Sequence, residues 1–311
     1  MTTPAPNKAL GQHFLHDRNI LATILRAAGD LTHTNVIEIG PGPGALTRAL
    51  LEAGVAQLLV VEKDHRFLPG LEALGSAFPG RLQIVQGDAL KLSLTELCGR
   101  LVQPPLPIPP PLKRERDREG DDTQHPAHSA HPSLQIIANL PYNISSPLLY
   151  QWLPELAPVS QLLLMFQKEV VDRITALPHT KDYGKLSVLT QTLCDADTLC
   201  LVPPGCFTPP PKVMSAVVRL VPKSAFSVQR SEFGNAALYH ALSRVTSAGF
   251  EQRRKMLRGS LKTLGIPPET LLAPCGIDST LRAENLTVAQ FQRLARAFLQ
   301  ASSESNAATH P

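Results

Sequence analysis

A doubly wound, mostly parallel α/β sheet followed by a small helical C-terminal domain is the architecture this sequence predicts, on three observations. Short apolar runs rich in β-branched residues alternate with helical patterns through the first two thirds of the chain, as strands joined by crossover helices do. Successive runs end in Gly, Glu and Asp, residue types that suit the ligand-binding strand tips of such a sheet. Beyond residue 222 the composition turns basic: residues 223–311 hold eleven Lys/Arg against six Asp/Glu, a net of +5, which leaves −1 for the first 222 residues of a chain at +4.

Ahead of the sheet, Asn19 to Ala28 carries Ile20, Ile24, Leu25 and Ala28 at helical spacing, which predicts a lead-in helix packed on the sheet. The first sheet strand is Val36 to Ile39, turning through glycines and prolines into a helix over Ala45 to Glu52. Leu58 to Glu62, a helical stretch near Phe67 to Leu74, and Leu82 to Val85 continue the alternation. Further strands are expected at Leu134 to Ala138, Gln161 to Phe166 and Ala216 to Val221. Residues 103–133 interrupt the pattern with eight prolines and a charged block, Lys113 to Asp122. Such a segment has too little apolar surface to offset its ordering entropy, so it is expected to be a flexible surface insertion. His125, His128 and His131 recur there at every third position without companion ligands, and no metal site is expected.

The expected division is a domain over residues 1–222 and a basic, helical domain over 223–311. In the latter, Gln252, Arg253, Arg254, Lys255 and Arg258 fall within about two helical turns, with Phe250, Met256 and Leu257 available to pack inward. Thr287 to Gln290 reads as a capping box opening a last helix through Phe298, with Ala301 to Pro311 as a frayed tail. A basic region joined to a neutral one points to a polyanionic partner.

Composition excludes other classes. At 311 residues and 43% apolar, with no apolar run approaching the roughly 20 residues of a spanning helix, a membrane protein is not expected. Met1 to Asn7 lacks the pattern of a targeting signal, so a cytoplasmic location is expected. Five cysteines without a C-x-x-C pair predict buried or half-buried thiols, neither a disulfide framework nor a zinc site.

The chemistry concentrates at strand ends. Asn139-Leu140-Pro141-Tyr142 follows the run Leu134 to Ala138 and joins an amide, a turn and an aromatic ring. Pro141 fixes φ and carries no N–H. The Leu140 carbonyl and the Asn139 carboxamide oxygen then offer two acceptors to an adenine amine, with Tyr142 against the ring face. Glu38-Ile39-Gly40-Pro41-Gly42-Pro43-Gly44 permits close ligand approach, but its glycine spacing differs from the G-x-G-x-x-G dinucleotide pattern. Glu62 is placed to accept ribose hydroxyls, and Asp88 to accept a cofactor amine.

These residues, with Lys8 to Leu15, Gly87 to Ala89, Asn139 to Ser145, Gln167 to Val170 and Phe207 to Val213, resemble the ribosomal RNA adenine dimethyltransferases over about residues 8 to 298. Gln252 to Lys255 and Arg282 to Leu286 resemble the bacterial branch that dimethylates two adjacent adenines in the 3′-terminal hairpin of small-subunit (16S) rRNA. The resemblance implies a Rossmann-like class I methyltransferase fold and S-adenosylmethionine as cofactor. It implies cofactor contacts at His13, Leu15, Gly40, Gly42, Glu62, Asp88 and Asn139, and a base held by Asn139, Leu140, Pro141, Tyr142 and Phe207. It implies RNA contacts at Arg253, Arg254, Lys255 and Arg258, a monomer, and small-subunit rRNA or the immature 30S subunit as partner. The chain departs from the family at His13, where Asn is usual, and in the insertion. By this reading no strong general base is needed, because an alkylated amine can lose its proton to water. A DNA adenine methyltransferase and a non-catalytic RNA-binding factor remain as rivals.

Overall fold

The computed structural model describes residues 4–7, 10–101, 133–223 and 236–309. Lys8, Ala9, nearly all of the expected insertion with its three histidines, and the stretch after the expected domain boundary lie outside the described residues. A two-residue strand, Phe14–Leu15 (β1), precedes helix Arg18–Ala28 (α1), whose first turn is capped by Asp17 accepting from the Asn19 and Ile20 backbone N–H groups. Three strand–helix units follow: Thr34–Ile39 (β2) and Ala45–Glu52 (α2), Gln57–Glu62 (β3) and Leu68–Ala77 (α3), Leu82–Gln86 (β4) and Leu94–Leu101 (α4). Ser133–Asn139 (β5), Tyr142–Trp152 (α5), Val159–Gln167 (β6), Lys168–Thr175 (α6) and Lys185–Leu193 (α7) complete the alternation. Cys194–Val202 (β7), Phe207–Thr208 (β8) and Ser215–Pro222 (β9) come next.

Seven strands form one sheet in the order β4-β3-β2-β5-β6-β9-β7, and β1 pairs antiparallel with β8 beside it. The chain builds outward from β2 to β4 and then returns to lay β5 on the other side of β2. That reversal makes the crevice above β2 and β5 the ligand-binding point of an open α/β sheet. Strand periodicity sets the two faces. Val36, Leu58 and Val60 point into one apolar cluster with α1–α3, whereas Ile37, Ile39, Leu59 and Val61 point into the other with α4–α7. Burial of one such Leu or Ile side chain contributes about 1.5–3 kcal/mol, so every sheet position on these strands is tightly specified.

Every expected strand is present, but the short β1–β8 ribbon and β7 are additional, and one expected strand runs in an unforeseen direction. β7 was not foreseen: its first half, Cys194 to Asp197, alternates apolar and acidic residues and its apolar run is only Leu199 to Val202, as in an outer strand partly exposed to solvent. The expected strand Ala216 to Val221 runs antiparallel to both β6 and β7, a direction that no local residue pattern encodes.

The C-terminal part contains Ala236–Glu251 (α8), Leu257–Ser260 (α9), Pro268–Leu272 (α10) and Val288–Thr309 (α11). Leu242, Val245, Phe291 and Leu294 are fully buried in the same cluster as Leu186 and Leu189 of α7. The capping box at Thr287 and Gln290 is formed, with each side chain bonded to the other's backbone N–H. The last helix then runs to Thr309, so the tail expected from Ala301 is helical as far as that residue. The basic cluster also differs from expectation. Helix α8 ends at Glu251, and Gln252 to Lys255 form a turn closed by the Lys255 N–H donating to the Gln252 carbonyl at 2.8 Å. Hence Arg253, Arg254, Lys255 and Arg258 do not share one helical face. Phe250 and Leu257 pack inward, but Met256 is 42% exposed.

Candidate active site

The turn after β2 is fixed by two glycines. Gly40 has φ of +67°, and a Cβ there would lie 3.3 Å from Pro141 Cδ. Gly42 has φ of +52°, and a Cβ there would stand 2.9 Å from the Phe14 ring. Both conformations and both approaches require the absence of a side chain. The turn thus passes beneath β1 on one side and against the Asn139–Tyr142 turn on the other. Between them lies a cavity of about 440 Å³, within the usual size of small-molecule sites. Residues from the tips of β2, β3, β4 and β5 line it, among them Gly40, Gly42, Glu62, Asp88 and Asn139, with His13 and Leu15 from the other side.

Glu62 is buried at the end of β3; its two oxygens accept the Gly42 N–H at 3.0 Å and the Asp64 N–H at 2.7 Å. Burial raises its carboxyl above the ordinary range and those two N–H groups oppose the rise. The orientation leaves lone pairs for further donors. Asp88 accepts the Lys63 ammonium at 2.8 Å and the Leu90 N–H at 3.1 Å; the ammonium holds its carboxyl below the usual value. Both residues stand where the sequence expected them.

Asn139 closes β5 and donates through Nδ2 to the His13 carbonyl at 2.9 Å. That bond assigns the amide orientation and turns Oδ1 away as an acceptor. Pro141 starts α5, and among the described residues the Leu140 carbonyl accepts no backbone hydrogen bond. Among the described residues, two acceptors on one turn are thus left without a donor. Tyr142 stacks on His13, with ring centroids 5.4 Å apart, and its hydroxyl is 2.6 Å from the buried Ser215 hydroxyl. The His13 ring is held in turn by Nδ1 at 2.8 Å from the Pro209 carbonyl. So Asn139, Leu140, Pro141, Tyr142 and His13 are brought together.

Phe207 is not with them. Its ring is 2% exposed, within the apolar cluster that holds Leu15 and Val202, and the residue does not line the cavity. Pairing of Phe207 with Leu15 in the β1–β8 ribbon draws it inward. In the basic cluster, Arg254, Lys255 and Arg258 are exposed, whereas Arg253 donates to the Tyr183 carbonyl at 2.7 Å, lies 3.7 Å from the Glu284 carboxylate and covers the Phe250 ring. It ties the loop before α7 to the C-terminal helices.

Several residues at the site were not foreseen. Glu38 lines the cavity and is 2% exposed; burial pushes its carboxyl up to about 8, against the opposing bond from the Thr47 hydroxyl at 2.8 Å. Its position at the start of the glycine turn was the available signal. Gln12 donates to Asp64 at 3.0 Å, and the Arg66 guanidinium holds the Asp64 carboxyl far below the usual range. This pins residues 10–15 over the cavity. Nothing local in the sequence marks Asp64 or Ser215. The five cysteines are free and buried or half-buried, as expected. Among the described residues there is no metal-ligating cluster and no helix long and apolar enough to cross a membrane.

A family model described as "Ribosomal RNA adenine dimethylase" matches residues 5–300. Among curated relatives, ribosomal RNA small subunit methyltransferase A of Paramagnetospirillum magneticum is 46% identical over 93% of this chain and 89% of its own length. The protein of the same name from Rhodospirillum rubrum is 44% identical over 93% and 87%. Among solved structures, a dimethyladenosine transferase from Plasmodium falciparum superposes with a TM-score of 0.69 at 24% identity, covering 93% of this chain and 98% of that one. The 23S rRNA methyltransferase ErmE does so at 0.59 and 23% identity, covering 92% and 99%, and both support the same fold. On the extent of these matches, this chain belongs to the ribosomal RNA adenine dimethylase family.

Proposed function

We propose that this chain transfers methyl groups from S-adenosylmethionine to the N6 amines of two adjacent adenines in the 3′-terminal hairpin loop of small-subunit rRNA, forming N6,N6-dimethyladenosine during ribosome biogenesis. Membership of the family makes it an S-adenosylmethionine-dependent rRNA adenine dimethyltransferase. One observation carries the residue-level reading: Asn139 and Leu140 line the cavity at the strand-order reversal, and among the described residues neither the Asn139 Oδ1 nor the Leu140 carbonyl accepts a hydrogen bond. The donor set fits the cofactor. Glycines without room for a Cβ face a buried, pre-oriented carboxylate, which suits a ribose, and Asp88 and Lys63 offer an acceptor and a donor farther along.

His13 and Leu15 through their main chain, Gly40, Gly42, Glu62, Asp88 and Asn139 would hold the cofactor, which when bound supplies an electrophilic methyl group. Asn139 and the Leu140 carbonyl would accept the two N–H bonds of adenine. This favours a more pyramidal nitrogen whose lone pair faces the methyl, and alignment of this kind supplies roughly 7–11 kcal/mol in well-oriented systems. Pro141 sets the turn and Tyr142 stacks on the base. Phe207 would have to leave its buried position to form a second stacking face.

Residues 1–222 form the methyltransferase domain in this reading, and 223–311 the RNA-binding one. Exposed Arg254, Lys255 and Arg258 would contact phosphates, lowering the cost of extruding a loop base. The enzyme acts as a monomer in the cytoplasm, on rRNA or the immature 30S subunit. Incubation with labelled cofactor and unmodified small subunits, followed by mapping of labelled nucleotides, tests this; label on duplex DNA in preference to rRNA, or none on either, would overturn it.

A further inference from the structure

We propose that Ser215, buried outside the cavity, is a positioning residue for methyl transfer: its hydroxyl fixes the lean of the Tyr142 ring, an assignment that rests on the reading of the Asn139–Tyr142 turn as the adenine site. Tyr142 is the first residue of α5, directly after Pro141. At that place no preceding helical turn excludes a χ1 rotamer. The backbone alone therefore leaves the ring able to swing toward or away from Asn139 and Leu140, and something outside the helix has to hold it.

Two contacts do so, and they act on different torsions. The hydroxyl of a tyrosine lies on the axis about which χ2 turns the ring, so a bond to it restrains χ1 and leaves χ2 free. Stacking on His13, with the ring planes 30° from parallel, restrains rotation about that axis. The χ1 restraint comes from Ser215. The two hydroxyls are 2.6 Å apart, one donating to the other, and among the described residues the Tyr142 hydroxyl has no other hydrogen-bond partner.

Ser215 is a rigid mount for this bond. It is fully buried, does not line the cavity, and opens β9, where it pairs with Gln167 of β6 on one side and Val202 of β7 on the other. Strand β6 is paired in turn with β5, whose last residue is Asn139. The acceptor turn and the anchor of the ring are thus fixed to one sheet, and that sheet sets the lean of the ring relative to the Asn139 and Leu140 oxygens. The base would rest on the Tyr142 face that His13 leaves open, so the lean decides where its N6 amine falls. Neither the phosphate contacts nor the cofactor contacts named above include Ser215 or the Tyr142 hydroxyl. Loss of the bond should therefore act on the rate of transfer and spare both affinities.

The test begins with the cofactor-free protein. Three-bond NMR couplings from the ring Cγ to the backbone nitrogen and carbonyl carbon report χ1, and tyrosine labelling marks only four residues, with Tyr142 assigned by its disappearance in Tyr142→Phe. The couplings should give one χ1 rotamer in the unmodified chain and averaged values in Ser215→Ala; a single rotamer in Ser215→Ala would overturn the proposal. In single-turnover methylation of small subunits at saturating cofactor, Ser215→Ala should lower the limiting rate about three- to tenfold, the equivalent of one neutral hydrogen bond. The subunit concentration giving half that rate and the affinity for S-adenosylhomocysteine should not change. A full limiting rate, or a loss of either affinity as a loosened sheet would give, would overturn it. Tyr142→Phe breaks the same bond from a half-buried position and keeps the ring, so it should match Ser215→Ala, and the double variant should be no slower than either; additive losses would overturn the proposal. Should Ser215→Ala fail to fold, the limiting rate of Tyr142→Phe still decides. Full-rate methylation of rRNA by both variants would remove the role of Ser215 and leave the proposed function standing.

Discussion

Asn139→Ala separates the structural role of this side chain from its chemical one. Its Nδ2 bond to the His13 carbonyl is a neutral hydrogen bond, so losing it should lower unfolding stability by about 0.5–1.5 kcal/mol. Its Oδ1 is one of two acceptors proposed for the adenine amine. Deleting one pre-aimed hydrogen-bonding group at a reacting centre costs about 10²–10³ in turnover, or about 2.7–4 kcal/mol of barrier. Two measurements then diverge: urea unfolding should shift slightly, and the single-turnover rate at saturating cofactor should collapse. Saturation removes any loss of cofactor binding from the comparison. Asn139→Asp should be equally impaired, because it keeps the acceptor but cannot donate to the His13 carbonyl and so loses its orientation. A rate for Asn139→Ala within about tenfold of the unmodified enzyme, a barrier change below about 1.4 kcal/mol, would refute the reasoning.

Four further outcomes are expected. Gly42→Ala meets the Phe14 ring at 2.9 Å in a left-handed conformation, so S-adenosylhomocysteine affinity measured by calorimetry should fall and stability should drop by about 1–2 kcal/mol from backbone strain alone. Glu38, whose carboxyl is raised from 4.5 to about 8, binds its proton more tightly folded than unfolded; the stability this contributes is complete below 4.5 and is lost as pH rises to about 8. Its contribution therefore falls by about 1.4 kcal/mol per pH unit at most between those values, and denaturant titrations of Glu38→Gln should lack that slope. Arg253→Ala should destabilise the packing of the C-terminal helices, read as a lower unfolding midpoint. Joint replacement of Arg254, Lys255 and Arg258 by Ala should instead leave the midpoint in place and reduce the salt dependence of RNA binding by about 0.7–0.9 for each phosphate no longer neutralised.

Much of the sheet was legible because burial on both faces writes itself as continuous apolar runs, and because Gly40, Glu62, Asp88 and Asn139 each stand at or just after the end of one. Strand β7 escaped because much of it faces solvent and two aspartates interrupt its first half. The break after Glu251 escaped because Arg and Lys are good helix formers, and the interaction that turns the chain there, Arg253 with the Tyr183 carbonyl, spans 70 residues. The burial of Phe207 and the hold of the His13 carbonyl on Asn139 are likewise tertiary. No neighbouring residue announces either.

The ribbon between Phe14–Leu15 and Phe207–Thr208 has a consequence for synthesis. His13 meets Pro209 across 196 positions, so a nascent chain can lay down β2 to β6 long before the last support of the wall over its cofactor crevice exists. Ligand-dependent stabilisation accordingly becomes complete only once the segment around Pro209 has emerged. A fragment stopped short of it would bind S-adenosylhomocysteine more weakly than the whole chain.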